Sequence, residues 1–515
     1  MKIVFSTFNA RYSHTALALR CLRANLGDLH DRSEIIEFEH SRNPQTAAER
    51  LLDLNPEIIL FSVYIWNLTV TTETVTILRT LRPDLKIVIG GPEVSHDYED
   101  LSLFKNADHL IRGEGESVIE ELCRNLLTGS PRSRTSATKN CRAGAETPPV
   151  EEKHFKNLPK VINAPPADLK TVALPYDEYT DEDLAHRRLY VESSRGCPFS
   201  CEYCLSALED GIRFFPPENL FPMFGKLIER GGRIFKFIDR SFNANPAHAA
   251  EVLNFFLKNR VDGMMLHLEW EPSVLPDELK TILAEAPPGF FQLEVGVQTF
   301  NPDVAARIER RMDAEKIEQN IRALSAMPSV HLHADLIAGL PGENLESIAA
   351  GFDRLHACGP NEIQLGILKK LRGAPIARHD RKWEMVYHVS PPYDVLQTST
   401  LSFPSLQAIR RFARFWDITV NNGRFPETAP LIWNDQPSVF GAFMEWSDWL
   451  YEQTHATAGF KPARLARFLE KFLTEKRGLS AKPVRAAIET DLSARSATTQ
   501  GMERQTRTHS RETAT

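Results

Sequence analysis

Three cysteines crowd into one short run, Arg195-Gly196-Cys197-Pro198-Phe199-Ser200-Cys201-Glu202-Tyr203-Cys204. At this spacing Cys197, Cys201 and Cys204 lie on one tight loop, close enough for their thiolates to converge on a single metal centre. Three ligands leave one coordination position open. A structural zinc site normally closes with four protein ligands and pairs its first cysteines with a second CxxC or a histidine element. No such element stands nearby, so an iron-sulfur cluster is the leading reading, with zinc or an unconnected trio of thiols as the alternatives. Seven cysteines in 515 residues are too few and too uneven for a disulfide framework.

Such a loop needs a rigid platform. Short apolar runs at 189–193, 234–238, 264–268, 290–295, 330–337 and 362–368 alternate with helical patterns, and the cysteine loop directly follows the first of them. Six β/α units in series predict a parallel barrel or partial (β/α)6 barrel over 186–375, with its active site at the C-terminal strand ends. Ahead of it, runs at 2–6, 34–38, 57–63, 86–90 and 109–113 predict a doubly wound parallel sheet over 1–128. In such a sheet ligands bind at the carboxyl ends of the strands, which directs attention to the loops after Ser6, Val63 and Gly90.

The stretch 129–185 reads as linker and connecting segment, polar and without period up to about Pro149. Residues 376–490, with Trp383, Trp416, Trp433, Trp446 and Trp449, predict a mostly helical accessory domain. From 491 to 515 the chain is expected to be a disordered tail, because Thr, Ser, Arg and Gln leave almost nothing to bury.

Composition narrows the class. With 42% hydrophobic and 25% charged residues the chain reads as an ordinary globular protein, and a net charge of -7 argues against a broad electrostatic footprint for nucleic acid or an anionic membrane. Neither a signal-peptide pattern nor a run of about 18 apolar residues stands out, so a cytoplasmic location is expected.

The cysteine run closely resembles the signature loop of the radical S-adenosylmethionine (SAM) superfamily. The resemblance implies a [4Fe–4S] cluster held by Cys197, Cys201 and Cys204, whose fourth iron is chelated by SAM, and reductive cleavage of SAM to methionine and a 5′-deoxyadenosyl radical. Tyr203 matches the family position near the adenine. Gln298, in Glu294-Val295-Gly296-Val297-Gln298, and the following Arg310 resemble the fourth-strand motif of the coproporphyrinogen dehydrogenase-like and methylthiotransferase-like branches, where both help hold SAM. Asp335 in Asp335-Leu336-Ile337-Ala338-Gly339-Leu340-Pro341-Gly342-Glu343 matches the position that reaches the SAM ribose. The second strand departs from the family's Gly-Gly-Glu and reads Asp239-Arg240-Ser241, which makes Asp239 the expected partner of the SAM amino group and leaves Arg240 without a role.

Ser62, Gly90-Gly91 and the Gly113-Glu114-Gly115-Glu116 loop resemble the cobalamin-binding domain fused to many radical SAM enzymes, in a flavodoxin-like sheet. The usual D-x-H-x-x-G cobalt-ligating motif is absent in form. His14 lies in the corresponding loop, where it is expected to begin a helix, and is at best a weak candidate ligand.

Together the domains resemble a cobalamin-domain radical SAM family whose C-terminal domain has no assigned function. The expected activity is a cobalamin-dependent radical SAM reaction, with methyl transfer to an unactivated centre as one outcome. The competing readings are a cobalamin-independent or non-methylating radical SAM reaction (rearrangement, cyclisation or RNA modification) and an iron-sulfur carrier or sensor. Methylthiotransferases supply three further clustered cysteines, whereas Cys21, Cys123 and Cys141 are scattered. The expected partners are a small-molecule substrate and an electron donor such as flavodoxin or ferredoxin.

Overall fold

The computed structural model describes residues 3–128, 158–209 and 211–493. Strands β1 (Ile3–Asn9), β2 (Ser33–Glu39), β3 (Ile58–Ser62), β4 (Lys86–Gly90), β5 (His109–Gly113) and β6 (Val161–Ala164) form one parallel sheet in the order β2-β1-β3-β4-β5-β6. Leu, Ile, Val and Phe on both faces of β1, β3 and β4 bury it against two helix layers, as the unbroken apolar runs require of a sheet covered on both sides. The order reverses between β1 and β3, which places the ligand-binding crevice at the ends of those two strands.

Two expectations change here. β1 runs on to Asn9, so no loop follows Ser6, and β6 adds a sixth strand inside the segment read as linker. That segment also contains the helix Asp181–His186. The loop expected up to about 149 lies outside the described residues, as does the tail from 494.

The second parallel sheet takes β7 (Leu189–Val191), β10 (Ile234–Phe237), β11 (Met265–Trp270), β12 (Phe291–Gln298), β13 (Val330–Ala338) and β14 (Glu362–Ile367), each paired with the next. β7 and β14 stay unpaired with each other, so this is a partial barrel. Between β7 and β10 stands a small antiparallel hairpin, β8 (Ser194–Cys197) and β9 (Gly211–Phe214), which carries the first cysteine.

Strict alternation along β12 and β13 sets the two faces of the wall. Leu293, Val295, Val297, Leu332, Ala334 and Leu336 are buried against the helices, while Glu294, Gly296, Gln298, His333 and Asp335 alternate with them toward the lumen.

The C-terminal region opens with a short ladder, β15 (Val386–Tyr387) and β16 (Val395–Gln397), and continues in the helices Phe403–Trp416, Val439–Thr454 and Pro462–Lys471. Phe412, Trp416 and Phe440 pack on Phe352 of the barrel helix Leu345–His356, with the Phe352 and Trp416 ring centroids 4.8 Å apart, and Phe443 packs in turn on Phe412 and Trp416. Its end departs from the expected tail. Residues 491–493 are helical, and the buried Asp491 carboxylate accepts hydrogen bonds from Glu427 N, Thr428 N and Thr428 Oγ1.

Among the described residues no helix is long and apolar enough to cross a membrane.

Candidate cofactor site

The hairpin β8–β9 folds the cysteine loop back across the end of β7. Gly196 makes this possible: at φ +89 its backbone crosses Gly211 so closely that a Cβ would stand 2.2 Å from the Gly211 carbonyl oxygen. Beneath it lies Asp239. Its buried carboxylate accepts from Ser193 N at 2.9 Å, Ser193 Oγ at 2.7 Å and Ser194 Oγ at 2.6 Å. Burial pushes the Asp239 carboxyl up, and these hydrogen bonds pull it back. Asp239 therefore props the hairpin from below. The carboxylate expected to partner the SAM amino group is thus already engaged by Ser193 and Ser194.

Each sulfur has a polar neighbour. Cys197 Sγ lies 3.6 Å from Ser241 Oγ, Cys201 Sγ accepts from Arg310 at 3.6 Å, and Cys204 Sγ accepts from Ser206 N at 3.4 Å. Burial raises the Cys197 thiol, and the nearby Cys204 and Cys201 sulfurs add to the rise. Among the described residues no three His, Cys, Asp or Glu close around a single ion. A cubane takes one thiolate per iron corner and is tuned by hydrogen bonds to its sulfurs, so the donor set of one loop, three thiols and three polar neighbours fits a [4Fe–4S] cluster.

Arg310 ties this loop to the fourth barrel strand. One guanidinium nitrogen reaches Cys201 Sγ and, at 3.3 Å, Tyr203 Oη, while the other donates to the Gly296 carbonyl. Burial works against its charge, but Tyr203, Glu271 and Cys201 outweigh that and keep the guanidinium protonated.

At the same place β12 bulges. Gln298 adopts φ +72, and its amide lies over Gly296, where a Cβ would come within 2.3 Å of Gln298 Nε2. A non-glycine residue held in the left-handed region costs about 1–3 kcal/mol and persists where the surroundings enforce it, as functional sites often do. Of the residues singled out from sequence, Tyr203, Gln298 and Arg310 thus meet the cysteine loop at one barrel mouth.

Asp335 lines the lumen beside them. Burial pushes its carboxyl up to about 8, and the charges of Glu294, Glu269 and Glu362 add to the effect. Its Oδ1 accepts no hydrogen bond, and His333 Nε2 stands 3.4 Å away without hydrogen-bond geometry. Glu269, at the end of β11, is a companion that the sequence analysis missed: burial lifts it to about 7, with Arg240 opposing. Arg240 itself is exposed. Two carboxyls raised by burial and by neighbouring acidic charge make this lumen receptive to a positively charged ligand, which suits a sulfonium compound such as SAM.

Deeper in the lumen, His267 Nε2 lies 2.9 Å from Glu294 and 3.2 Å from Lys236 Nζ. Burial would raise Glu294, but the hydrogen bond from His267 and the charges of His267, Lys236 and His333 hold it down at about 2.

The N-terminal crevice works differently. Gly91 adopts φ +113, and a Cβ there would stand 2.5 Å from the Val63 carbonyl oxygen, so the loop's own crossing demands this glycine. The Ser62 carbonyl accepts from Thr7 Oγ1 and Asn67 Nδ2. Beyond it Tyr64 and Trp66 stack with centroids 4.5 Å apart, and Trp66 is 46% exposed. An exposed aromatic plate beside small residues and backbone fits a large flat cofactor such as a corrin, gripped by shape.

His14 does not begin a helix. It lies in the loop before Leu17–Ala24, half-buried against Tyr190 of β7 with ring centroids 5.9 Å apart, and burial lowers its pKa. Glu114 and Glu116 of the Gly-Glu-Gly-Glu loop turn away to ion pairs: Arg195, just before Cys197, pairs with Glu114 at 2.8 Å and with Glu116 at 2.7 Å. They latch the cysteine hairpin to the N-terminal sheet.

Comparison with known proteins follows the same division. Residues 4–123 match the B12-binding domain family, 191–355 the radical SAM superfamily and 381–513 a protein family of unknown function (DUF4080). The cobalamin-dependent radical SAM methyltransferase TokK of Streptomyces tokunonensis is 24% identical over 348 residues, covering 61% of this chain and 47% of that protein. The chain thus spans about half the length of the curated relatives it matches.

Among solved structures, the cobalamin-dependent SAM radical enzyme OxsB, with aqua-cobalamin and SAM bound, superposes with a TM-score of 0.59 at 14% identity, over 98% of this chain and 80% of that one. The radical SAM methyltransferase TsrM from Kitasatospora setae, with cobalamin and a [4Fe–4S] cluster bound, gives 0.56 at 16% identity over 78% and 79%. At these identities the likeness shows a shared fold.

Proposed function

We propose that this chain, which carries a B12-binding domain ahead of a radical SAM domain, is a cobalamin-dependent radical SAM enzyme that transfers a methyl group to an unactivated centre of a small-molecule substrate. The observation that carries the reading is Arg310, whose guanidinium joins the cysteine loop, Tyr203 and the bulged strand of Gln298 at one barrel mouth.

Cys197, Cys201 and Cys204 would hold the cluster, and Gln298, Arg310, Tyr203 and Asp335 would hold SAM, Tyr203 on the adenine side and Asp335 on the ribose side. Glu269 faces the same ligand. When bound, the cluster supplies the electron that breaks the sulfonium carbon–sulfur bond, and cobalamin supplies a carrier for the methyl group. Ser62, Gly90 and Gly91 shape the floor of the crevice that takes the corrin, and the Arg195 latch keeps that crevice against the barrel. That TokK and TsrM are methyltransferases supports the methyl-transfer outcome. Reducing equivalents come from a flavodoxin or ferredoxin.

The test is product analysis. Anaerobically purified protein, reconstituted with iron, sulfide and cobalamin, is reduced and incubated with methyl-labelled SAM and a cell extract from which small molecules are recovered. Labelled methyl in a recovered product, with S-adenosylhomocysteine and 5′-deoxyadenosine formed, is expected. Formation of 5′-deoxyadenosine with no labelled product and no S-adenosylhomocysteine overturns methyl transfer in favour of a rearrangement or cyclisation.

A further inference from the structure

The segment 369–394, between the last barrel strand and the C-terminal helices, touches three loops that belong to different parts of the cofactor site. Its ends meet, Lys369 bridging to Asp394 and Lys370 N donating to Tyr393 O at 3.1 Å, so it forms a closed piece.

The first contact is with the cysteine loop. Glu202, between Cys201 and Tyr203, is buried, and its carbonyl accepts from Ile376 N at 2.9 Å. Its carboxylate is held by His379 Nε2 at 2.6 Å and by an ion pair with Arg378.

The second contact is with the N-terminal crevice. Glu93, two residues past Gly91, is buried and accepts from Tyr393 Oη at 2.5 Å, with Arg372 Nε at 3.3 Å. Arg372 also donates to Asp97 O at 2.6 Å, and Gly373 N to Asp97 Oδ2 at 3.0 Å. Gly373 sits so tightly that a Cβ would lie 2.5 Å from the His96 ring.

The third contact is with the turn after β13. Trp383 covers Gly342, where a Cβ would meet its ring at 2.5 Å, and Arg307 stacks on the same ring at 4.3 Å.

A buried carboxylate without a partner is strongly destabilising. Glu202 and Glu93 both take their partners from this one segment, so neither loop can shift without stripping a buried charge. The cysteine loop has little secondary structure of its own, and its position depends on outside contacts. We infer that segment 369–394 is a staple that fixes the cluster-bearing loop and the cobalamin crevice at one separation, with Glu202, His379, Glu93, Tyr393 and Arg372 as positioning residues. This inference rests on the function proposed above. It gives the C-terminal region a role: it sets the geometry across which the two cofactors must cooperate.

The test uses the holoprotein with both cofactors, reduced so that cluster and cobalt are each paramagnetic, and reads their magnetic coupling by electron paramagnetic resonance. Wild type should give one narrow distribution of separations. Glu202→Gln and Tyr393→Phe should each broaden it roughly twofold, because loosened positioning spreads the geometry without removing a ligand. Arg372→Lys should partly restore the narrow distribution relative to Arg372→Gln, and Arg485→Gln, in an exposed ion pair with Glu470, should leave it unchanged.

If Glu202→Gln fails to take up a cluster, Tyr393→Phe, which removes one hydroxyl on the crevice side, decides the matter. Variants that hold both cofactors and give the wild-type spectrum overturn the staple alone. A wild-type protein that takes up the cluster and no corrinoid overturns the functional reading and the staple with it.

Discussion

The barrel and the N-terminal sheet follow one plan, parallel strands with their working loops at the carboxyl ends, yet they present cofactors with opposite kinds of surface. At the barrel mouth, side chains of definite chemistry converge: three thiols, the Arg310 guanidinium, the Gln298 amide and the Asp335 carboxyl. In the N-terminal crevice the determinants are a glycine crossing at φ +113, backbone carbonyls and an aromatic stack. Coordination and charge restrict residue type at fixed spacing. Shape restricts only volume and backbone angle.

The largest effect that sharpens this contrast is expected from Cys197→Ala, Cys201→Ala and Cys204→Ala combined. Iron and sulfide should fall to background and 5′-deoxyadenosine should vanish, while corrinoid uptake, measured by absorbance, persists. Next comes Gly91→Ala. Placing a Cβ against the Val63 carbonyl at this φ should cost about 2 kcal/mol in denaturant unfolding and lower corrinoid retention, with the iron content unchanged. Were Gly91→Ala to strip the cluster instead, the two sites would not be separable.

Arg310→Lys keeps the charge but loses the fork that spans sulfur, phenol and carbonyl. SAM affinity by calorimetry should weaken about tenfold, about 1.4 kcal/mol.

The smallest effect concerns Asp335. Its folded pKa of about 8 lies above its ordinary 3.8, so the folded chain keeps a proton that the unfolded chain loses, and stability falls as pH rises from about 4 to about 8. With 28% of the side chain open to the lumen, the effect should be on the order of 1 kcal/mol. Asp335→Asn should flatten that slope in thermal melts of the cofactor-free protein, and an unchanged slope would remove Asp335 as its source.

The same contrast explains what could be read from sequence. The barrel strands and the clustered cysteines were legible because period and residue spacing mark them, whereas Gln298 and Arg310 were singled out only through the family resemblance. β6 was not: Val161-Ile162-Asn163-Ala164 is short and mixed, and it follows a long polar stretch. Asp239 was singled out, but its partners Ser193 and Ser194 were not, since they are common residues whose convergence only the fold shows. Glu269 could have been found, because in His267-Leu268-Glu269 it stands beside Glu294 in register on the adjoining strand. The Glu202–His379 and Glu93–Tyr393 contacts join positions 177 and 300 residues apart and leave no local pattern.

On the proposed function, Cys197, Cys201 and Cys204 would leave one iron of the cluster for SAM to grip. Electron–nuclear double resonance on the reduced protein, with SAM carrying nitrogen-15 at its amino group, tests it directly. Hyperfine coupling of that nitrogen to the cluster is the predicted result, and a fully formed cluster that shows no such coupling with SAM bound would contradict the account.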